Sequence, residues 1–97
     1  MQEKAIRWNS QKNIQLMHER GVSFEEILSS IEQGGLITVL EHPNQQKYPN
    51  QRIWVVQVRA YAHLVPLVES ADEIFLKTIM PSRKATKLYL SEDSDEK

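Results

Sequence analysis

The chain has 97 residues, with 12 basic and 13 acidic side chains, no cysteine and a net charge of −1 at pH 7. A chain of this length is expected to fold as one domain with a modest core. The lack of cysteine excludes disulfides, thiol catalysis and cysteine-based metal sites. No apolar run approaches the roughly 20 residues of a membrane span, and no apolar signal core is present, so we expect a cytoplasmic protein.

The charge is distributed unevenly along the chain. Residues 91–97 hold four acids and one base, a composition that predicts a disordered, solvating tail. Residues 1–90, which we predict to form the single domain, therefore carry a net charge of +2. Within them, residues 77–90 contain four bases and no acid. The C-terminal part of the predicted domain is therefore strongly cationic.

A short strand and a helix are predicted at the start of the chain. Residues 5–8 read as the strand. Asn9 or Ser10 can cap a helix that runs to about Arg20, and Gly21 suits the left-handed position that ends it.

A second helix is predicted immediately afterwards. Ser23 and Glu26 form a capping box, with serine at the N-cap and glutamate three residues later. An apolar stripe at helical spacing follows, and a Gly-Gly pair at residues 34–35 ends the helix near Gln33.

The apolar period then changes to two, which predicts four strands at residues 36–41, 51–59, 63–69 and 73–80. The short connections at 60–62 and 70–72 indicate an antiparallel meander. Pro66 predicts an edge strand or a bulge, because proline cannot donate to a strand ladder. A short helix at 82–90 completes an α+β fold: two N-terminal helices, a four-stranded mainly antiparallel sheet and a C-terminal helix, with the helices on one sheet face.

The junction between the last strand and the last helix has the residue types of an anion site. The strand ends at Pro81, and the helix opens with Ser82, Arg83 and Lys84 and carries Lys87 one turn later. Backbone N–H groups at a helix start favour an anion, and the arginine fork suits a phosphate. A phosphodiester is therefore an expected ligand.

Two segments of the chain resemble the BrnT family of bacterial toxins. The first segment comprises Ile6-Arg7-Trp8-Asn9-Ser10-Gln11-Lys12-Asn13 and then His18-Glu19-Arg20-Gly21-Val22-Ser23-Phe24-Glu25-Glu26. The second comprises Ser82-Arg83-Lys84-Ala85-Thr86 with Tyr89. Asn9 stands where the family has aspartate, Pro81-Ser82-Arg83 stands where it has Ser-Ala-Arg, and the Glu-Arg pair that usually follows Ala-Thr in the family is missing. The resemblance covers most of residues 5–90 in its order of elements.

The resemblance implies a RelE-like fold, ribonuclease activity and a cognate antitoxin, expected to be a ribbon-helix-helix DNA-binding protein. RNA cleavage through the 2′-hydroxyl needs a base, an acid and cations for the phosphorane charge, without a metal. The candidate catalytic residues are Arg83, Arg52, His63 and His18. The candidate RNA contacts are Lys77, Ser82, Lys84, Lys87 and Tyr89.

Each of these residues also has a structural interpretation. Arg83, Lys84 and Lys87 could be solvated helix residues, and Arg52 an ordinary cation at a strand end. His63 could be a cross-strand surface residue, and Tyr89 could pack the helix on the sheet. The three histidines have no metal-ligand spacing, so no metal or other cofactor is expected.

The polar loop at residues 42–50 is bracketed by two prolines and has a length typical of functional loops. It could form a wall of an RNA groove or an antitoxin docking surface. The leading hypothesis is a metal-independent endoribonuclease toxin, which the basic C-terminal helix favours. The alternative is a catalytically inactive module that acts as antitoxin partner and co-repressor, favoured by Pro81 and the missing Glu-Arg. A nucleic-acid-binding domain without a toxin role is a third hypothesis.

Overall fold

The computed structural model describes residues 4–91. Apart from Ser91, the acidic tail predicted from the sequence lies outside these residues. Within the described part of the chain there are three helices and six strands in an α+β arrangement. In chain order they are β1 (Ala5–Trp8), α1 (Ser10–Arg20), α2 (Phe24–Glu32), β2 (Leu36–Glu41), β3 (Gln51–Val58), β4 (Tyr61–Glu69), β5 (Glu73–Leu76), β6 (Met80–Pro81) and α3 (Arg83–Leu90).

The ends of α1 and the start of α2 are fixed by the local signals in the sequence. The side chain of Asn9 accepts a hydrogen bond from the Lys12 amide at 2.9 Å, as an N-cap does. Gly21 has a φ of 69° and ends α1 in the left-handed conformation. Ser23 Oγ accepts from the Glu26 amide at 3.1 Å, which confirms the predicted N-cap of α2.

Asn13 joins the two N-terminal helices. Its Oδ1 accepts a hydrogen bond from the Phe24 amide at 2.8 Å, and its Nδ2 donates to Glu25 Oε1 at 2.8 Å. The bond from Asn13 is the main cause that lowers the pKa of Glu25. One α1 side chain therefore satisfies a backbone donor in the first turn of α2, which would otherwise lack a partner.

The strands form one mixed sheet in the order β1-β5-β4-β3-β2, with β6 also paired to β4. The meander β2 to β5 is antiparallel, as predicted. The prediction of a four-stranded sheet is wrong, because β1 adds to it in parallel with β5, with Ala5 opposite Glu73 and Trp8 opposite Leu76. The two strands are far apart in sequence, so no turn motif between them predicts their pairing.

The strand predicted at 73–80 is divided into β5 and β6. Its break lies opposite Pro66, whose carbonyl oxygen accepts from the Lys77 amide at 2.8 Å. Because Pro66 has no N–H to donate to the neighbouring strand, the ladder of backbone hydrogen bonds is interrupted at this point. The predicted edge position of Pro66 is wrong, because β4 has neighbours on both sides, but the predicted irregularity is present.

The core has two parts, one on each face of the sheet. Val56, on β3, belongs to the larger cluster with Leu16, Phe24 and Ile27 of the N-terminal helices. Its neighbour Val55 belongs to a smaller cluster with Ala85 of α3. Successive residues of a strand point to opposite faces, so α1 and α2 cover one face and α3 covers the other. The prediction that all helices lie on one face is therefore wrong.

Candidate functional site

Helix α3 carries the cations that were predicted from the sequence to bind a phosphodiester. Arg83, Lys84 and Lys87 are exposed, whereas Ala85 between them is buried at 8% exposure. Within residues 4–91 none of these three cations forms an ion pair with an acidic side chain. Their charge is therefore not neutralised by the described part of the protein.

Ser82 is the N-cap of α3. Its Oγ accepts a hydrogen bond from the Ala85 amide at 3.0 Å, so the hydroxyl predicted as an RNA contact already has a structural role. The residue also donates from its amide to the Ala62 carbonyl at 3.0 Å. The first turn of α3 is thereby attached to the beginning of β4.

Thr86 completes this attachment. Its Oγ1 accepts from the Ala62 amide at 2.8 Å and donates to the Ser82 carbonyl at 2.8 Å. The Ser82 amide and the Thr86 hydroxyl of the predicted motif therefore attach α3 to Ala62 of β4, and the neighbouring cations face solvent.

His63 lies beside this attachment and is 8% exposed. Its backbone pairs with that of Pro81, which places it next to the start of α3. His63 lies two residues before Val65 of the larger cluster, so both side chains are on the same face of the sheet, and His63 faces α1 and α2. His63 and Arg83 thus approach the same end of the sheet from opposite faces.

The His63 ring has a defined tautomer. Its Nδ1 lies 3.1 Å from the Tyr61 carbonyl oxygen, and a carbonyl can only accept, so Nδ1 carries the proton. In the neutral ring Nε2 is then an acceptor. Burial, and to a smaller extent the charge of Arg59, lowers the pKa of His63. The histidine is therefore neutral near pH 7 and has a nitrogen that can take up a proton.

Arg52 is not part of this arrangement. Its guanidinium lies 2.5 Å from Glu69 Oε1, and the ammonium group of Lys4 lies 2.7 Å from Glu69 Oε2. Hydrogen bonding by Lys4, together with both cationic charges, lowers the pKa of Glu69. Because Arg52 pairs with Leu67, it lies about 13 Å along β4 from His63, at roughly 3.3 Å per residue.

The remaining predicted residues are spread over the surface. His18 is exposed in the last turn of α1. Lys77 is exposed between β5 and β6. Tyr89 is 38% exposed near the end of α3. Of all the candidates, the structure places Arg83, Lys84, Lys87 and Tyr89 on α3, with its N-cap Ser82 and with His63 beside its start.

Two arginines that the sequence analysis did not assign also lie at this end of the sheet. Arg20, at the end of α1, donates to the Ile79 carbonyl next to β6 at 2.5 Å. Arg59, in the β3–β4 turn, pairs with Glu26 at 2.5 Å and donates to the Gly21 carbonyl at 3.0 Å. Both side chains connect the helices to the sheet. This role depends on tertiary contacts, so no local sequence pattern indicates it.

The polar loop at 42–50 is held together by its own contacts. The rings of His42 and Tyr48 are 4.4 Å apart, and the Lys47 ammonium lies 5.4 Å from the Tyr48 ring centre. Gln45 donates to the His42 carbonyl at 2.8 Å. The loop therefore has a defined local conformation beside β2 and β3.

A shallow cavity of about 200 Å³ lies between α3 and the sheet, and we call it the α3 groove. Its apolar lining comprises Leu40, Val55, Leu64, Ala85, Leu88 and Tyr89, and Ser82 and Lys84 complete it. Leu40 of β2 and Leu88 of α3, which both line the groove, are exposed.

Within residues 4–91 no three His, Asp or Glu side chains cluster in a way that could hold a metal ion. None of the helices in that range is both long and apolar enough to cross a membrane. Comparison of the chain with protein-family models, curated proteins and solved structures finds no match. A function can therefore be inferred only from the residues of this chain and their arrangement.

Proposed function

We propose that this protein is a metal-independent endoribonuclease toxin, BrnT-like, of a type II toxin-antitoxin pair, and that α3 is its RNA-binding surface. The observation that carries the proposal is the set of exposed cations Arg83, Lys84 and Lys87, which form no ion pair within residues 4–91. Cations without a protein partner are the groups that attract nucleic-acid phosphates. The two BrnT-like sequence segments give the same assignment.

The proposed reaction uses the neutral His63 as a general base towards an RNA strand that passes around the end of the sheet, because His63 and Arg83 reach that end from opposite faces. Its Nε2 takes the proton of a ribose 2′-hydroxyl, and the 2′-oxygen attacks the adjacent phosphorus. The bond from phosphorus to the 5′-oxygen breaks, which gives a 2′,3′-cyclic phosphate and a 5′-hydroxyl. Arg83 stabilises the charge of the phosphorane, and His18 is the candidate acid that protonates the leaving oxygen.

A second candidate function is supported by the position of Arg52. This arginine is paired with Glu69 and lies away from α3, so it is not available to a phosphate bound at the helix. A protein with this arrangement could serve as a catalytically inactive partner of an antitoxin and act as a co-repressor. The two candidates share the basic surface and differ in whether RNA is cut.

Incubation of the purified protein with labelled single-stranded RNA in excess EDTA tests the proposal. We expect cleavage with 2′,3′-cyclic phosphate ends, and a loss of at least about 100-fold in rate for Arg83→Ala, the typical effect of removing one group that stabilises transition-state charge. Lys12→Ala, which removes a cation from α1, is the matched control and should retain the rate.

Two results would contradict the ribonuclease assignment. One is a folded protein that leaves RNA intact under all conditions, which would favour the inactive partner. The other is cleavage that EDTA abolishes and magnesium restores, because the proposed mechanism assigns every step to side chains.

A further inference from the structure

The α3 groove combines an apolar floor with a cationic wall. Val55 of β3 forms part of the floor and Leu40 of β2 part of the far side, whereas Leu88 and Tyr89 contribute from the helix. Leu88 is 67% exposed and Leu40 is 38% exposed. Exposed apolar side chains that adjoin a groove mark a surface for a macromolecule.

The size of the groove argues against a small-molecule ligand. Small-molecule pockets usually have volumes of about 300–1,000 Å³, whereas this cavity is about 200 Å³ and open to solvent. A space of this kind suits one apolar side chain of a larger partner, and interfaces depend on such anchors.

The charges beside the groove restrict the partner further. Lys84 is part of the lining, Lys87 follows one turn later, and residues 77–90 contain no acid. RNA phosphates could neutralise the lysines, but they would leave Leu88 and Leu40 exposed. A second copy of this chain would bring an identical cationic helix towards the first one, which is electrostatically unfavourable.

We infer that the α3 groove binds an amphipathic segment of a partner protein, with apolar residues in the groove and acidic residues against Lys84 and Lys87. The inference rests on the proposed function, in which the partner is the antitoxin. The acidic residues then occupy the same lysines that contact RNA, so the partner inhibits by competing for α3.

The test measures binding to the protein encoded by the adjacent open reading frame, purified in complex with this chain and then separated from it. Leu88→Asn should raise the dissociation constant at least about tenfold, the effect expected when a well-buried leucine is lost. Ile14→Asn is the matched control: Ile14 is 61% exposed but lies on α1, across the sheet from α3. It should change the constant less than twofold.

The electrostatic part is tested with Lys84→Glu and Lys87→Glu combined. The wild-type complex should weaken as salt is added, because salt screens surface charge pairs. The double variant should bind more weakly and lose most of this salt dependence. A wild-type chain that does not bind the neighbouring protein, or a Leu88→Asn variant that binds it normally, would overturn the inference.

Two further measurements separate this inference from the proposed function. Sedimentation of the isolated chain should show a monomer, and a dimer that Leu88→Asn dissociates would assign the groove to a second copy instead. RNA cleavage in EDTA by Leu40→Asn, which alters the groove on β2 and leaves α3 unchanged, should match that of the wild type. If the protein cleaves RNA but the groove variant binds the partner as tightly as the wild type does, only the groove assignment is refuted. If the protein leaves RNA intact but the groove variant binds the partner more weakly, only the ribonuclease assignment is refuted.

Discussion

Arg59 and Glu26 form an ion pair, with Nη1 2.5 Å from Oε2, that ties the β3–β4 turn to the first turn of α2. The second Nη of Arg59 donates to the Gly21 carbonyl at 3.0 Å. These contacts accompany an unusual backbone, since Arg59 and Ala60 have φ angles of 51° and 67°. Such values suit a two-residue hairpin turn but are unfavourable for residues that have a Cβ.

Ala60→Gly should therefore stabilise the protein. Glycine adopts a positive φ without the steric strain that the Cβ of alanine causes. The relief of this strain in the folded state exceeds the cost of the larger conformational entropy that glycine gives the unfolded chain. We expect the free energy of unfolding to rise by about 0.5–1 kcal/mol, measured by urea denaturation. Ala71→Gly, in a bend where no positive φ is present, is the control and should not stabilise.

Asn13→Ala should destabilise the protein because the Phe24 amide and Glu25 lose a partner at the same time. Loss of a helix-capping interaction typically lowers the free energy of unfolding by about 1–2 kcal/mol. The thermal midpoint should fall accordingly. Gln15→Ala removes a hydrogen bond between exposed side chains within α1 and should lower the midpoint much less. Equal effects would show that Asn13 does not join the helices.

The protein should lose stability as the pH falls below about 6.5, the usual value for histidine in an unfolded chain. Burial lowers the pKa of His63 in the folded state, so below pH 6.5 the unfolded chain binds more protons than the folded one. The free energy of unfolding should fall by up to about 1.4 kcal/mol per pH unit. This dependence ends below the folded-state pKa.

Urea denaturation between pH 5 and 8 measures this effect. In this pH range the glutamates with lowered pKa values do not contribute to the pH dependence of stability. His63→Gln should flatten the dependence. A steep dependence that persists in His63→Gln would show that another group is responsible.

If the proposed function is correct, expression of the chain alone should arrest bacterial growth, and Arg83→Ala should relieve the arrest. Arg83 is exposed and makes no ion pair in residues 4–91, so its loss should change the unfolding free energy by less than about 0.5 kcal/mol. Colony counts after induction measure the arrest, and circular dichroism checks the fold. Unimpaired growth with abundant folded wild-type protein would contradict a toxin.

The helix ends could be predicted because their signals are local. Asn9, Gly21, Ser23 and Ser82 each act within a few residues of their own position, and the structure places all four at the predicted ends. The middle strands were also predictable, since alternating burial leaves a period of two in the sequence. The turn lies at Arg59–Ala60 and not at residues 60–62 as predicted, because neither residue is the glycine or asparagine that signals such a turn.

The candidate site was predicted less completely. The cationic character of α3 is a property of consecutive residues and could be recognised without a structure. The separation of Arg52 from α3 could not be recognised, because Glu69, its partner, is distant in sequence. The burial of His63 likewise depends on packing by α1 and α2.

The sequence by itself determined the helices, the antiparallel meander and the cationic C-terminal segment, because each depends on neighbouring residues. Only the tertiary structure decided that β1 pairs in parallel with β5, that α3 lies on the opposite face from α1 and α2, and that Arg52 is neutralised. These features join residues that are distant along the chain. Their free energy comes from burial and ion pairing that exist only once the sheet has formed.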